Sequence, residues 1–106
     1  MFWQDETDIQ DTPEVRLWRA VIDRAIHDCF HANYNNMAHA CHWIYSDDNS
    51  FNSFGSLCTM TDCNQLMIRQ LIAQEFINRY NQNPDDVINK RIYQNHKGVI
   101  EKYADI

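Results

Sequence analysis

Apolar side chains recur at steps of three and four along most of this chain, the repeat that lines one face of an α-helix, and the period-two alternation of a strand is absent. The first such stretch opens at Thr12-Pro13-Glu14: Thr is a good N-cap, Pro suits the first helical position, and Glu complements the helix dipole. Trp18, Val21, Ile22, Ala25 and Cys29 then form one apolar face. Arg19, Asp23, His27 and His31 line another face at steps of four, where the Arg19–Asp23 and Asp23–His27 pairs contribute about 0.2–0.5 kcal/mol each. Asn33, Asn35 and Asn36 end the helix or bend the chain. A shorter second helix carries Met37, Ala40, Cys41 and Ile44, with Trp43 beside the stripe.

Residues 46–50 read as a loop from which Ser50 caps a third helix carrying Phe51, Phe54, Leu57 and Cys58. A turn over Thr61-Asp62-Cys63-Asn64 leads to a long fourth helix, capped by Asn64 or Asp62, with Met67, Ile68, Leu71, Ile72 and Phe76 in helical register as far as about Tyr80. Asn83 is the expected cap of a fifth helix with Pro84 first inside, Val87, Ile88 and Ile92 on its apolar face, and Gly98 at its end. Residues 99–106 add a further helical turn or a docked tail. The pattern predicts an all-α fold: a single domain over residues 12–106, built as a compact bundle of about five helices, preceded by a flexible acidic arm at residues 1–11.

The third and fourth helices have the spacing of a helix-turn-helix. With Leu57 as the fourth position, the small fifth residue is Cys58, the eighth Thr61, the tenth Cys63, the fifteenth Ile68 and the eighteenth Leu71. Two short helices meeting across a turn of three or four residues require this order of small and apolar positions. The ninth residue is often Gly because the turn needs a positive φ; here it is Asp62, a type that tolerates that conformation better than most. Used on DNA, such a unit lays the start of its second helix in the major groove, which makes Asn64, Gln65, Arg69 and Gln70 candidate base readers and Lys90 and Arg91 candidate phosphate contacts, with His96 and Lys97 beyond them.

Composition adds limits. Of the 106 residues 44% are apolar and only two are Gly and two Pro, enough for a small core with few long loops. The net charge of −6 is concentrated at the start, where Asp5, Glu6, Asp8, Asp11 and Glu14 occur without a single Lys or Arg. The rest of the chain is close to neutral, so overall acidity argues less against nucleic acid than its magnitude implies, yet no basic stripe supports it. Phe2 and Trp3 beside Asp5 and Glu6 make an acidic-aromatic docking motif the second candidate site, for a protein partner. No apolar run reaches the length of a membrane span, and the acidic start lacks the features of a signal peptide. A cytosolic protein with reduced thiols is the expectation.

Residues 27–63 collect His27, Cys29, His31, His39, Cys41, His42, Cys58 and Cys63. Zinc is the obvious candidate, but no Cys-x-x-Cys pair occurs and the spacings match no common finger. Cys29, Cys41 and Cys58 fall on apolar stripes, where a free thiol packs as a small hydrophobe. No metal or other cofactor is expected. An enzyme is not expected either: the thiols lie on core faces and there is no glycine-rich phosphate loop.

Leu17-Trp18-Arg19-Ala20-Val21, then Trp43-Ile44-Tyr45-Ser46, Phe54 with Leu57-Cys58, and Ile68-Arg69 together resemble small uncharacterised proteins encoded by bacteriophages and prophages, over about residues 15–72. In those proteins a Gly commonly stands in the turn that Asp62 and Cys63 occupy here. Cys58 fits as a core residue of the type, whereas Cys29, Cys41 and Cys63 find no counterpart. The resemblance implies a phage protein acting in the bacterial cytosol. Two functions stand as expectations: a helix-turn-helix regulator on DNA, alone or as a homodimer, or a small inhibitor or adaptor that binds a host polymerase, nuclease or defence complex.

Overall fold

A computed structural model describes residues 12–104. The fold is all-helical, with no strand among the described residues. Six helices follow in order: α1 (Pro13–His31), α2 (Tyr34–Tyr45), α3 (Phe54–Met60), α4 (Gln65–Gln82), α5 (Val87–Asn95) and α6 (Lys97–Ala104). α1 packs along α2, and α4 along α6 and α5, while α3 touches α1, α2 and α4. One apolar core runs through all six, from Ile22 and Cys29 through Ile44, Phe54, Ile68 and Ile72 to Ile92 and Ile100.

Side-chain caps set most of the boundaries. The Thr12 hydroxyl accepts from the Val15 N–H with Pro13 behind it, as the sequence predicts. Asn33 accepts from the Asn36 N–H, so the asparagine cluster both ends α1 and starts α2. Asn64 caps α4 by accepting from the Met67 N–H. Each cap satisfies a donor that has no partner inside its helix.

Three boundaries depart from expectation. Ser53, not Ser50, caps α3, so Phe51 lies before the helix and is 65% exposed. Ser50 is instead held by the Asp48 carboxylate, which accepts from both its N–H and its hydroxyl. Asn83 closes α4, its N–H donating to the Arg79 carbonyl, and α5 starts three residues later with Asp86 as cap to the Asn89 N–H. Val87 and Ile88 then occupy the first turn and are exposed; only Ile92 of that face is buried. Gly98 lies inside α6 rather than ending α5, and its φ is not positive. The chain breaks at His96 and restarts at once, with the Ile100 N–H donating to the His96 carbonyl, because Ile100 and Tyr103 both reach the core.

The Arg19–Asp23 attraction is present, opposing the burial that raises the Asp23 carboxyl. Asp28, not Asp23, is the carboxylate near His27, and it also accepts from Arg24 at 3.0 Å. Aromatic pairs join the distal ends: Tyr80 stacks on Tyr93 at 4.4 Å, Phe30 packs on Phe76, and Arg91 lies over the Tyr34 ring at 3.9 Å.

His96, at the α5–α6 break, is held below its ordinary value of 6.5 by burial and by His42 of α2. The unfolded chain therefore binds this proton first, and stability rises with pH through the window that ends near the ordinary value. Thermal unfolding of His96→Gln should show a shallower loss of Tm than the parent on acidification from pH 7.5 to 5.5; parallel curves would remove His96 from the account.

Candidate functional site

The α3–α4 turn is a Schellman motif built on two cysteines. Thr61 is the C-cap, Asp62 follows in the left-handed region at φ 54°, and the Cys63 N–H donates to the Cys58 carbonyl at 2.8 Å. A second, longer bond runs from the Asp62 N–H to the Thr59 carbonyl at 3.4 Å. Thr61 is fully buried and its hydroxyl donates back to the Leu57 carbonyl at 2.7 Å. Asp62 is the only non-glycine residue with positive φ among those described, at the position where the sequence pattern calls for one.

The pattern's apolar positions are filled up to a point. Leu57, Cys58, Cys63 and Ile68 are buried, but Leu71 is 48% exposed and Ile72 takes its place. α4 buries Ile68, Arg69, Ile72, Ala73 and Phe76, a face set by its contacts with α5 and α6 as well as α3. At 100° per residue Leu71 lies about 130° from the centre of that face.

The candidate base readers do not form a common surface. Arg69 is 8% exposed: its Nε donates to the Ile44 carbonyl at 2.8 Å, Nη2 to the Ser46 carbonyl at 2.8 Å, and Nη1 to the Tyr103 hydroxyl at 3.2 Å. The Tyr45 hydroxyl returns a bond to the Arg69 carbonyl at 2.8 Å. The guanidinium also lies 5.4 Å from the Phe54 ring centroid and 5.6 Å from that of Tyr103. The guanidinium, expected to read a base edge, is here engaged with three acceptors of the fold and lines the hollow beside Gln65.

Asn64 is exposed but uses its side-chain oxygen as the α4 cap. Gln65 is exposed beside Gly55, where a Cβ would come within 3.2 Å of its side-chain oxygen, and it lines a hollow with Asp47 and Asp48. Gln70 is half-buried. Lys90 and Arg91 are exposed on α5, which packs against the other end of α4 through the Tyr80–Tyr93 stack. Phe2, Trp3, Asp5 and Glu6 lie outside the described residues.

The cysteines form two pairs rather than one cluster. Cys29 and Cys41 join α1 to α2 with their Sγ atoms 4.0 Å apart, and both are fully buried. Cys58 and Cys63 face each other across the turn. His27 and His31 pack with tilted rings on the exposed side of α1. Among the described residues no group of three or more His, Cys, Asp or Glu converges in a way that could hold a metal ion.

A different surface was not anticipated as a site. Leu17 is 62% exposed, Val21 41% and Phe51 65%, all on the α1 side of the molecule. Phe51 stands edge-on to Trp18 at 6.5 Å, and the Trp43 indole N–H donates to the Asn52 carbonyl, which draws the α2–α3 loop against both helices. Between α1 and α2 lies an open groove of about 290 Å³ with Val21, Ala25, Ala40 and Trp43 on its walls and Arg24, Asp28, Asn36 and His39 around it. The pattern had assigned Val21 and Phe51 to core faces; their exposure follows from α3 starting after Phe51 and from α1 directing Ile22 and Cys29, not Val21, inward.

Comparisons with protein-family models, with curated proteins and with solved structures find no match to this chain. No helix among the described residues is long and apolar enough to cross a membrane.

The strained position at Asp62 gives a direct test of the turn. Asp62→Gly should leave stability unchanged or raise it by up to about 1 kcal/mol, since Gly adopts positive φ freely, whereas Asp62→Val should lower it by about 1–2 kcal/mol. Denaturant unfolding with equal losses in both variants would contradict a left-handed residue here.

Proposed function

We propose that this chain is a non-enzymatic, phage-type binding protein that acts on a host protein in the bacterial cytosol, and that its contact surface is the aromatic-apolar face of α1 and the α2–α3 loop. One observation carries the reading: Leu17, Val21 and Phe51 are exposed beside a groove walled by Trp43. Apolar patches of this kind mark interaction sites, and Trp and other aromatic anchors carry much of the binding energy at protein interfaces. The five carboxylates of residues 1–14 lead directly into this helix, so the complementary partner surface is apolar with a basic flank.

DNA binding by the α3–α4 pair is the second reading, favoured by the left-handed Asp62 at the turn position where the helix-turn-helix pattern needs positive φ. Against it stand the enclosed Arg69 and the Asp47–Asp48 pair beside Gln65, which set carboxylates rather than an exposed guanidinium next to that side chain, where phosphate contacts call for cations.

A paired capture experiment separates the readings. Host lysate is passed over the full chain, over Leu17→Asp and Phe51→Asp variants, and over Leu66→Asp, an exposed leucine of α4 outside the patch, as a control. The proposal expects proteins retained by the parent and by Leu66→Asp but at least tenfold depleted on both patch variants, with no salt-sensitive binding of mixed genomic DNA. Equal retention on all four chains, or DNA binding that weakens with salt, would contradict it.

A further inference from the structure

Four thiols in a chain of 106 residues fall into two contacting pairs, and the two pairs differ in the property that governs thiol chemistry, access to water. Cys29 and Cys41 are both 0% exposed, and Cys41, with burial and Asp28, pushes the Cys29 thiol far up, away from the reactive thiolate. Cys58 is also enclosed, at 1%, and Cys63 is buried too but keeps 8% of its surface exposed, between half-buried Asp62 and exposed Asn64. The Schellman geometry places these two residues at the positions whose side chains ordinarily make an apolar contact across a helix end. Here the 2.8 Å bond from the Cys63 N–H to the Cys58 carbonyl fastens their backbones together, and both contact side chains are thiols.

We propose that Cys58 and Cys63 form an oxidisable dithiol that closes, on reaction with a hydroperoxide, into a disulfide stapling the α3–α4 turn. The inference rests on the turn itself and is independent of whether the chain binds protein or DNA. Cys63 is the attacking group. The Cys58 thiol donates to the Cys63 sulfur, which holds Cys63 below the ordinary thiol value, while the same bond and burial push Cys58 up. The charges facing Cys63 are mixed: Arg19 of α1 favours the thiolate, whereas Asp23 of α1 and Asp62 of the turn oppose it. Arg69 of α4 favours the charged form of Cys58.

In the first step the Cys63 thiolate attacks one peroxide oxygen. The O–O bond breaks, sulfur is oxidised to the sulfenic acid, and the second oxygen leaves as hydroxide that takes a proton to become water. In the second step the Cys58 sulfur attacks the Cys63 sulfur. The S–S bond forms, the S–O bond breaks, and the hydroxyl leaves as water with the Cys58 proton. Two thiols and one hydroperoxide give one disulfide and two waters when the oxidant is hydrogen peroxide.

The sequence makes the product easy to map. Cleavage on the N-terminal side of aspartate separates residues 48–61, which hold Cys58, from residues 62–84, which hold Cys63, and leaves Cys29 and Cys41 together on residues 28–46. The full-length native protein is treated with hydrogen peroxide, unfolded, blocked with N-ethylmaleimide and cleaved without reductant. The proposal expects fragments 48–61 and 62–84 to be joined and to separate on reduction, while fragment 28–46 carries two maleimides. Cys63→Ser should leave Cys58 as a maleimide-reactive thiol after the same treatment. Separate 48–61 and 62–84 fragments with both cysteines blocked, irreversible over-oxidation of Cys63 without joining, or prior closure of Cys29 with Cys41 would each overturn the proposal.

Discussion

A buried guanidinium organises the centre of this fold. Arg69 projects from α4 to the C-terminal end of α2, where the last carbonyls of a helix lack partners within it. It supplies them from outside, donating to Ile44 and Ser46, while Tyr45 between them donates back to the Arg69 carbonyl. Its third branch meets Tyr103 of α6. Three helices distant in sequence are thereby held by one side chain, and the aromatic faces of Phe54 and Tyr103 shield it. Arg suits this role better than Lys, because a planar fork can serve several acceptors in fixed directions at once. The same bonds orient α4 about its axis, which places Ile72 in the core and Leu71 at the surface.

The helical class and the caps at Thr12 and Asn64 were legible in sequence because local chemistry decides them. So was the turn: Asp62 takes the positive φ that the spacing demands, for the stated reason that Asp tolerates it. The stripe of α2 was also legible, since Met37, Ala40, Cys41 and Ile44 all face the core. What sequence periodicity missed was decided by partners far along the chain. Arg69 read as a surface cation because charge is usually solvated; only α2 and α6 together make its burial favourable. Residues 99–106 read as a further helical turn or a docked tail beyond Gly98; the burial of Ile100 and Tyr103 decides for helix and carries Gly98 inside α6.

The candidate site was less legible than the fold. The residues singled out on α4 and α5 are real surface or cap positions in part, but Lys90 and Arg91 sit toward one end of α4 and Asn64 and Gln65 at the other. The apolar face of Leu17, Val21 and Phe51 could not be separated from core positions by periodicity, since an exposed apolar face and a buried packing face share the same residue types. A signal was available: Leu17 sits beside Trp18 off the main stripe, an apolar residue that the core pattern of α1 does not need.

Equilibrium denaturant unfolding of Arg69→Met tests the organising role of this side chain most directly. Methionine keeps much of the apolar stem and leaves the Ile44 and Ser46 carbonyls without their donor, so the account predicts a loss of about 3 kcal/mol. A loss under about 1 kcal/mol would contradict it and return Arg69 to the surface residues.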